Sequence, residues 1–248
     1  MRLQRIVILL LLLGPLTYAI QLGSAEMGAV VDNVQFDKDM TIAVVRILNK
    51  SQKDITAFNL SVDVHYRNGR TKHFERLVEL LPKMVFQQTV NASPKLGEGA
   101  LHPGKTEEVT INLVSPTDKN LVLSADIKLD MAVDLDLSAE GPNQGAIDRL
   151  VALRKGHIDA DLKAAEIISA AAADTVTPDP RGMALRQLRL LHEQAKTNND
   201  TGGFSHEIQN IIQDLERDQN IDLKSYARQR NRDAVTKSAH VKIGGRVN

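Results

Sequence analysis

The sequence predicts a β-sandwich, immunoglobulin-like or fibronectin-like in topology, followed by an α-helical C-terminal region. Three observations carry this expectation. From Glu26 to about Gly141 apolar residues recur with a period of two, the mark of half-buried strands. After "SAEGPNQG" the period changes to 3.6, and the first half is punctuated at short intervals by turn signals such as "NKSQKD", "NASPKLGEG" and "HPGK". Two sheets that are each apolar on one side bury those faces against one another, so about seven short strands in such a stretch point to a sandwich.

The elements follow in order. "MRLQRIVILLLLLGPLTYAIQLGSA" holds Arg2 and Arg5, an apolar run from Ile6 to Leu13, a Gly14-Pro15 break, and small residues at Gly23 and Ala25. This reads as a secretory signal peptide over 1–25, cut after Ala25 or after Ala19, with an uncleaved anchor as the alternative. The run falls well short of the roughly 20 apolar residues that span a bilayer, and no later segment spans one either. Strands are expected at 28–36, 40–49, 84–90 and 107–114. In "ITAFNLSVDVHY" the residues Phe58, Leu60, Val62, Val64 and Tyr66 share one face, and Asn68-Gly69 offers a two-residue hairpin turn that brings "TKHFE" back beside it. The last strand is "LVLSADIKLDMAVDLDL", 121–137.

The sandwich is thus assigned to 26–141, a helical region to 142–220 and a basic tail, partly helical or disordered, to 221–248. In the first helix Ile147, Leu150, Val151, Ile158, Leu162, Ala165 and Ile168 draw an apolar stripe, with Asn143 as its cap and Gly156 as a place to bend. Asp179 caps a second helix with Pro180 at its first position, running to about Lys196 with Ala184, Leu185, Leu188, Leu191 and Ala195 on its apolar side. A third carries Ile208, Ile211, Ile212 and Leu215, and a weaker fourth begins near Leu223. Short isolated helices are marginal in water, so these pack as a bundle, fold back on the sandwich or dock on a partner.

Composition narrows the function. At 248 residues, 42% hydrophobic and 25% charged, the chain is globular in character. It has no cysteine, which removes disulfides, thiolate chemistry and a lipid-modified N-terminal cysteine, and an exported chain of this kind fits a bacterial periplasm or the extracellular medium. Lys and Arg equal Asp and Glu at 31 each; two of the basic residues lie in the first 25, so the remainder carries an excess of two negative charges. With no Trp and 3% aromatic residues, stacking platforms are scarce, and no nucleic-acid partner is expected. Asn-x-Ser/Thr sequons at Asn49, Asn59, Asn91 and Asn199 read as chance matches.

Few residues suggest chemistry. In 121–137, Asp126, Asp130, Asp134 and Asp136 all share the even parity, opposite the apolar odd positions, and the expectation is a sheet face turned to water. Carboxylates at i and i+2 stand about 6.8 Å apart at the backbone, so Asp134 and Asp136, with Glu140 nearby, are the candidates for a calcium ion, which takes six to eight oxygens. His65, His102, His192-Glu193 and His206-Glu207 lack the partner spacing of a zinc helix. "GEGALHPG" does not join a strand to a helix, and there is no Gly-x-Ser-x-Gly elbow.

At "ILNKSQKDITAFNLSVDVHYRNGR", "LHPGKTEEVTINL" and "DLDLSAEG" the chain resembles a group of uncharacterised exported bacterial proteins with an immunoglobulin-like sandwich and a helical tail. The resemblance implies that architecture over roughly 28–215 and no activity. It departs from the group where an Asp-Gly usually ends the last strand, since here the glycine is delayed to Gly141, which weakens a ligand role for that corner. The expected function is therefore an exported, non-enzymatic binding or scaffolding protein with no cofactor and a protein partner in the cell envelope, docked by the helices. The alternative is a metal-dependent enzyme or calcium module at Asp134, Asp136 and Glu140. The tail "KSYARQRNRDAVTKSAHVKIGGRVN", with seven basic groups against one acid, is read as solvated, or as touching an anionic surface.

Overall fold

The computed structural model describes residues 27–80, 100–114, 121–197, 203–238, 241 and 244–245. Among the described residues seven strands precede four helices: β1 Ala29–Phe36, β2 Ile42–Asn49, β3 Ile55–Tyr66, β4 Thr71–Glu79, β5 Thr106–Asn112, β6 Val122–Asp134 and β7 Ser138–Glu140, then α1 Gln144–Ala173, α2 Pro180–Thr197, α3 Gly203–Arg217 and α4 Leu223–Ser238. A two-residue strand, β8 Gly244–Gly245, runs parallel to β7. One antiparallel sheet has the order β1-β2-β5 and the other β4-β3-β6-β7. The expected strand at 84–90 lies outside the described residues.

The two sheets close on an apolar core in which Val45 and Ile47 meet Phe58, Leu60, Val62, Ile127 and Leu129. Alternation along β3 therefore reads as expected. The turns are as local as their residues suggest, with one difference. In the Asn68-Gly69 hairpin Gly69 takes a positive φ, +79°, but Asn68 does not, while Tyr66 accepts from the Gly69 amide and donates to Arg70. This is a type I turn followed by a left-handed glycine, because Asn68 keeps a negative φ and uses its Oδ1 to accept from Arg70 N instead. At His102-Pro103-Gly104-Lys105 the Pro-Gly pair forms the turn its chemistry favours, with Gly104 at φ +71° and the Lys105 amide bonded to His102 O.

The single-face reading of 121–137 is overturned by a bulge at Asp130. Leu60 faces Leu129 and Asn59 faces Met131, so Asp130 is an extra residue in β6 and every later side chain changes face. Ile127 and Leu129 point between the sheets, whereas Met131 and Val133 point outward, where α1 covers them. The aspartates are consequently not one wet row: Asp126 and Asp136 are exposed, Asp130 is half-buried and Asp134 is 3% exposed. Leu121 and Leu123, on the supposed apolar parity, are each 59% exposed.

Gly141 secures this corner. It sits at φ +105°, and a Cβ there would lie 2.8 Å from both the Asp130 carbonyl carbon and Met27 Sδ. The Asn143 amide also binds the bulged Asp130 carbonyl at 3.3 Å. Gly141→Ala is expected to cost about 3 kcal/mol, strain and backbone clash together, read as a lower urea midpoint at unchanged slope.

Asn143 caps α1 as expected, accepting from Ala146 N at 2.9 Å, and Asp179 caps α2, accepting from Gly182 N at 2.8 Å. Helix α1 runs unbroken through Gly156. The glycine serves a close crossing rather than a bend, since a Cβ there would lie 2.7 Å from Phe204 N and one on Gly203 would meet Leu153 O. Ala146, Ile147 and Leu150 pack on the outer face of the sheet against Ala57, Met131, Val133 and Ala139. Ala160, Ala164, Ile168 and Ala171 enter a second core with Leu188, Ile208, Ile211, Leu215 and Tyr226. Leu162, expected in the stripe, is 46% exposed.

Arg181 ties the bundle's ends together. Its Nη1 donates to Leu215 O and Asp218 O, both at 2.7 Å, and its Nη2 to Ile221 O at 3.0 Å, so it satisfies carbonyls that the end of α3 leaves open. Arg181→Ala is expected to cost about 2 kcal/mol, seen as a lowered thermal midpoint.

The expectation of a solvated tail fails for one face of α4. Tyr226, Ala227, Arg230, Asp233 and Ala234 are buried, because the helix completes the second core and supplies cations to it.

Candidate functional site

The acidic corner forms where the β6–β7 turn meets the loop before β3. The turn is closed by the Leu137 amide on Asp134 O, which leaves Leu137 at φ +70°, a costly conformation for a side chain branched beyond Cβ. It brings Asp134 and Asp136 to one ammonium: Lys53 Nζ is 3.7 Å from Asp134 Oδ2 and 2.7 Å from Asp136 Oδ2. Ser138 Oγ lies between the same carboxylates, 3.0 Å from Asp134 Oδ2 and 2.5 Å from Asp136 Oδ1. Glu140 is used apart from the pair, accepting from Gly28 N at 2.6 Å.

The electrostatics follow from these partners. The Lys53 hydrogen bond, with those from Ser138, holds Asp136 down at about 2, while burial raises Asp134. The bond to Asp136 raises Lys53 in turn. Lys53 Nζ is 3.4 Å from Ser138 Oγ, but an ammonium stabilised in this way cannot take the serine proton, so the pair is not an activated nucleophile. The lysine stands where a cation would bridge the two aspartates. Among the described residues no group of three or more His, Asp or Glu is arranged to hold a metal ion.

His65, His73, His102 and His192 each find a local partner. His65 Nε2 is 3.1 Å from Asp126 across the strands, and Asp63 takes His73 at 2.8 Å. His102 Nδ1 is 2.7 Å from Asp54, and His192 Nδ1 is 3.1 Å from Ser205 O. Asn49 and Asn59, two of the sequon asparagines, are fully buried, which closes both to glycans; Asn91 and Asn199 lie outside the described residues.

A larger constellation, not expected from sequence, lies inside the helices. Asp161 of α1 is 0% exposed and receives Lys237 Nζ at 2.6 Å and Arg230 Nη1 at 3.4 Å. Glu207 of α3 receives Lys237 at 2.9 Å, Arg230 at 3.5 Å and His157 Nδ1 at 3.1 Å. Arg230 also pairs with Asp233 at 2.9 Å and lies 5.1 Å over the Tyr226 ring, whose hydroxyl donates to Asp214 at 3.1 Å. Three carboxylates thus share two permanent cations. Burial, opposed by Lys237, pushes Asp161 up to about 6. Burial also pushes at Glu207, but His157 and Lys237 outweigh it and hold that carboxyl well below its usual range.

A second buried pair joins helix to sheet. Arg154 Nε and Nη2 reach Glu79 Oε2 and Oε1 at 2.8 and 3.2 Å, and Nη2 also donates to Thr56 Oγ1 at 3.2 Å. Nearer the start of α1, Arg149 pairs with Glu75, and Asn143 and Asn59 each donate to Asp130 at 2.8 Å.

A pattern in the sequence does mark the hidden polar residues. Ile147, Leu150, Arg154, His157, Asp161, Ala164, Ile168 and Ala171 alternate steps of three and four, and all are buried. Following that phase through its polar positions, instead of selecting the apolar residues alone, places Arg154, His157 and Asp161 on the inner face.

No family model matches the chain, and no curated protein matches its sequence. Among solved structures, a hypothetical protein from Peptoclostridium difficile 630 matches 48% of this chain and 88% of its own, at 11% identity and a TM-score of 0.30, a likeness too slight to bear on fold or function.

Proposed function

We propose that the chain is an exported, non-enzymatic binding or scaffolding protein that engages a partner in the cell envelope through its helical bundle, the sandwich being an immunoglobulin-like module. The observation that supports this reading is the double use of α1. Its first turns are buried on the sheet and its later turns in the bundle core, with no break between them. A continuous helix packed at both ends fixes the distance between two surfaces, which a scaffold requires. The buried ionisable groups serve that rigidity by pairing across elements. The sheet-switching connections β2–β3, β4–β5 and β5–β6 support the immunoglobulin-like assignment.

The test is site-specific photo-cross-linking in cells. A photoreactive residue replaces exposed Leu190 on α2 in one strain and exposed Leu123 on β6 in another, so that the fold is undisturbed. An envelope protein captured reproducibly from position 190 and not from 123 supports docking by the helices. Capture from neither position ends the interaction reading.

A further inference from the structure

Helix α4 divides its basic residues between two faces. At about 100° per residue, the buried Tyr226, Ala227, Arg230, Asp233 and Ala234 fall within an arc of about 120°, and Lys224, Arg228, Arg232 and Val235 within about 80° on the opposite side. Arg230 is consumed by the carboxylates beneath it, as is Lys237. The outward residues are less engaged: Arg228 donates to Ser225 Oγ and feels the charge of Asp222, Arg232 feels that of Asp233, and among the described residues none of Lys224, Arg228 and Arg232 forms a salt bridge with a carboxylate. Val235, between them on the helical wheel, is 70% exposed. Lys242 and Arg246 follow in the sequence.

We propose that this outward ridge of α4 rests on an anionic lipid surface, with Lys224, Arg228 and Arg232 among the headgroups and Val235 as the apolar contact. The cations stand about 6 Å apart along a straight, convex ridge. That arrangement has no concavity to orient one particular carboxylate, which an acidic protein site would need, and a lipid surface asks only for charge of the right sign and spacing. The chain beyond residue 25 carries two more acids than bases, so attraction to an anionic surface has to be local and oriented. The inference is independent of the scaffold reading.

The experiment is vesicle co-sedimentation of the chain from Glu26 onward, which keeps every described element, with phosphatidylcholine vesicles with and without phosphatidylglycerol. Preference for the anionic vesicles, weakened by salt, is expected. Changing Lys224, Arg228 and Arg232 together to Gln is expected to lower that binding about 100-fold, at about 1 kcal/mol per residue, with an unchanged melting curve because the sites are exposed and Gln keeps helix propensity. Changing exposed Lys163, Arg189 and Lys196 to Gln removes the same charge elsewhere and should leave binding intact. Equal binding to both vesicle types overturns the proposal, as does full binding by the ridge variant or an equal loss in the control. Binding to polyglutamate with none to vesicles assigns the ridge to an acidic protein and overturns it too.

Discussion

Arg154→Ala is expected to destabilise the protein by about 3–5 kcal/mol and to loosen α1 from the sheet, because it strips from the buried Glu79 carboxylate the guanidinium that binds both its oxygens. Both side chains are enclosed, at 5% and 8% exposure, and the two-point geometry uses both oxygens of Glu79. Truncating one partner removes the attraction and keeps the desolvation cost of the other. Removing both, as Arg154→Met with Glu79→Leu, removes both charges and should cost far less than either single change. Urea unfolding of the wild type, Arg154→Met, Glu79→Leu and the double variant reads the cycle, with Arg154→Ala measured beside them, and limited proteolysis within α1 reads the loosening. Additive losses in the double variant, or a loss below about 1 kcal/mol in Arg154→Ala, would show that packing of Ala146, Ile147 and Leu150 holds the helix without the pair.

Local rules were legible and their interruptions were not. Asn143, Asp179 and Pro180 announce their helix starts by side-chain chemistry that acts within a few residues, and Pro103-Gly104 announces its turn in the same way. The bulge at Asp130 has no such signal. It is a property of the pairing of β6 with β3, and the alternation of "LVLSADIKLDMAVDLDL" continues across it as though nothing changed. The same residues that look like one wet row are therefore parted, with Asp134 drawn under the turn to Lys53 and Ser138. In α4 the composition misleads for a different reason. Arg230, Asp233 and Lys237 look like surface residues because a buried charge is worth having only beside its partners, and those partners, Asp161 and Glu207, come from helices distant in the sequence.

Between about pH 5 and pH 6 the protein is expected to lose stability as the pH rises, and Asp161→Asn is expected to flatten that slope. The folded value of Asp161, about 6, lies above the usual aspartate value of about 3.9 in an unfolded chain. In that interval the folded state holds the extra proton, so raising the pH favours the unfolded state, by about 1 kcal/mol across the unit. Glu207 acts outside the window: its carboxyl is depressed in the fold, so its contribution is present above its unfolded value and is lost only on further acidification. Asp134 and Asp233, both raised by burial, act in the same direction as Asp161 and leave a residual slope in the variant. At neutral pH the asparagine keeps an acceptor for Lys237 while removing one of three carboxylates that share two cations, so Asp161→Asn should be neutral or stabilising there. Lys237→Met, which strips the ammonium from both Asp161 and Glu207, should cost about 3–5 kcal/mol at the same pH. Urea titrations at three pH values across the window decide the matter. A wild-type stability that climbs from about pH 5 to about pH 6, or a variant that keeps the whole slope, would place the titrating proton elsewhere than on Asp161.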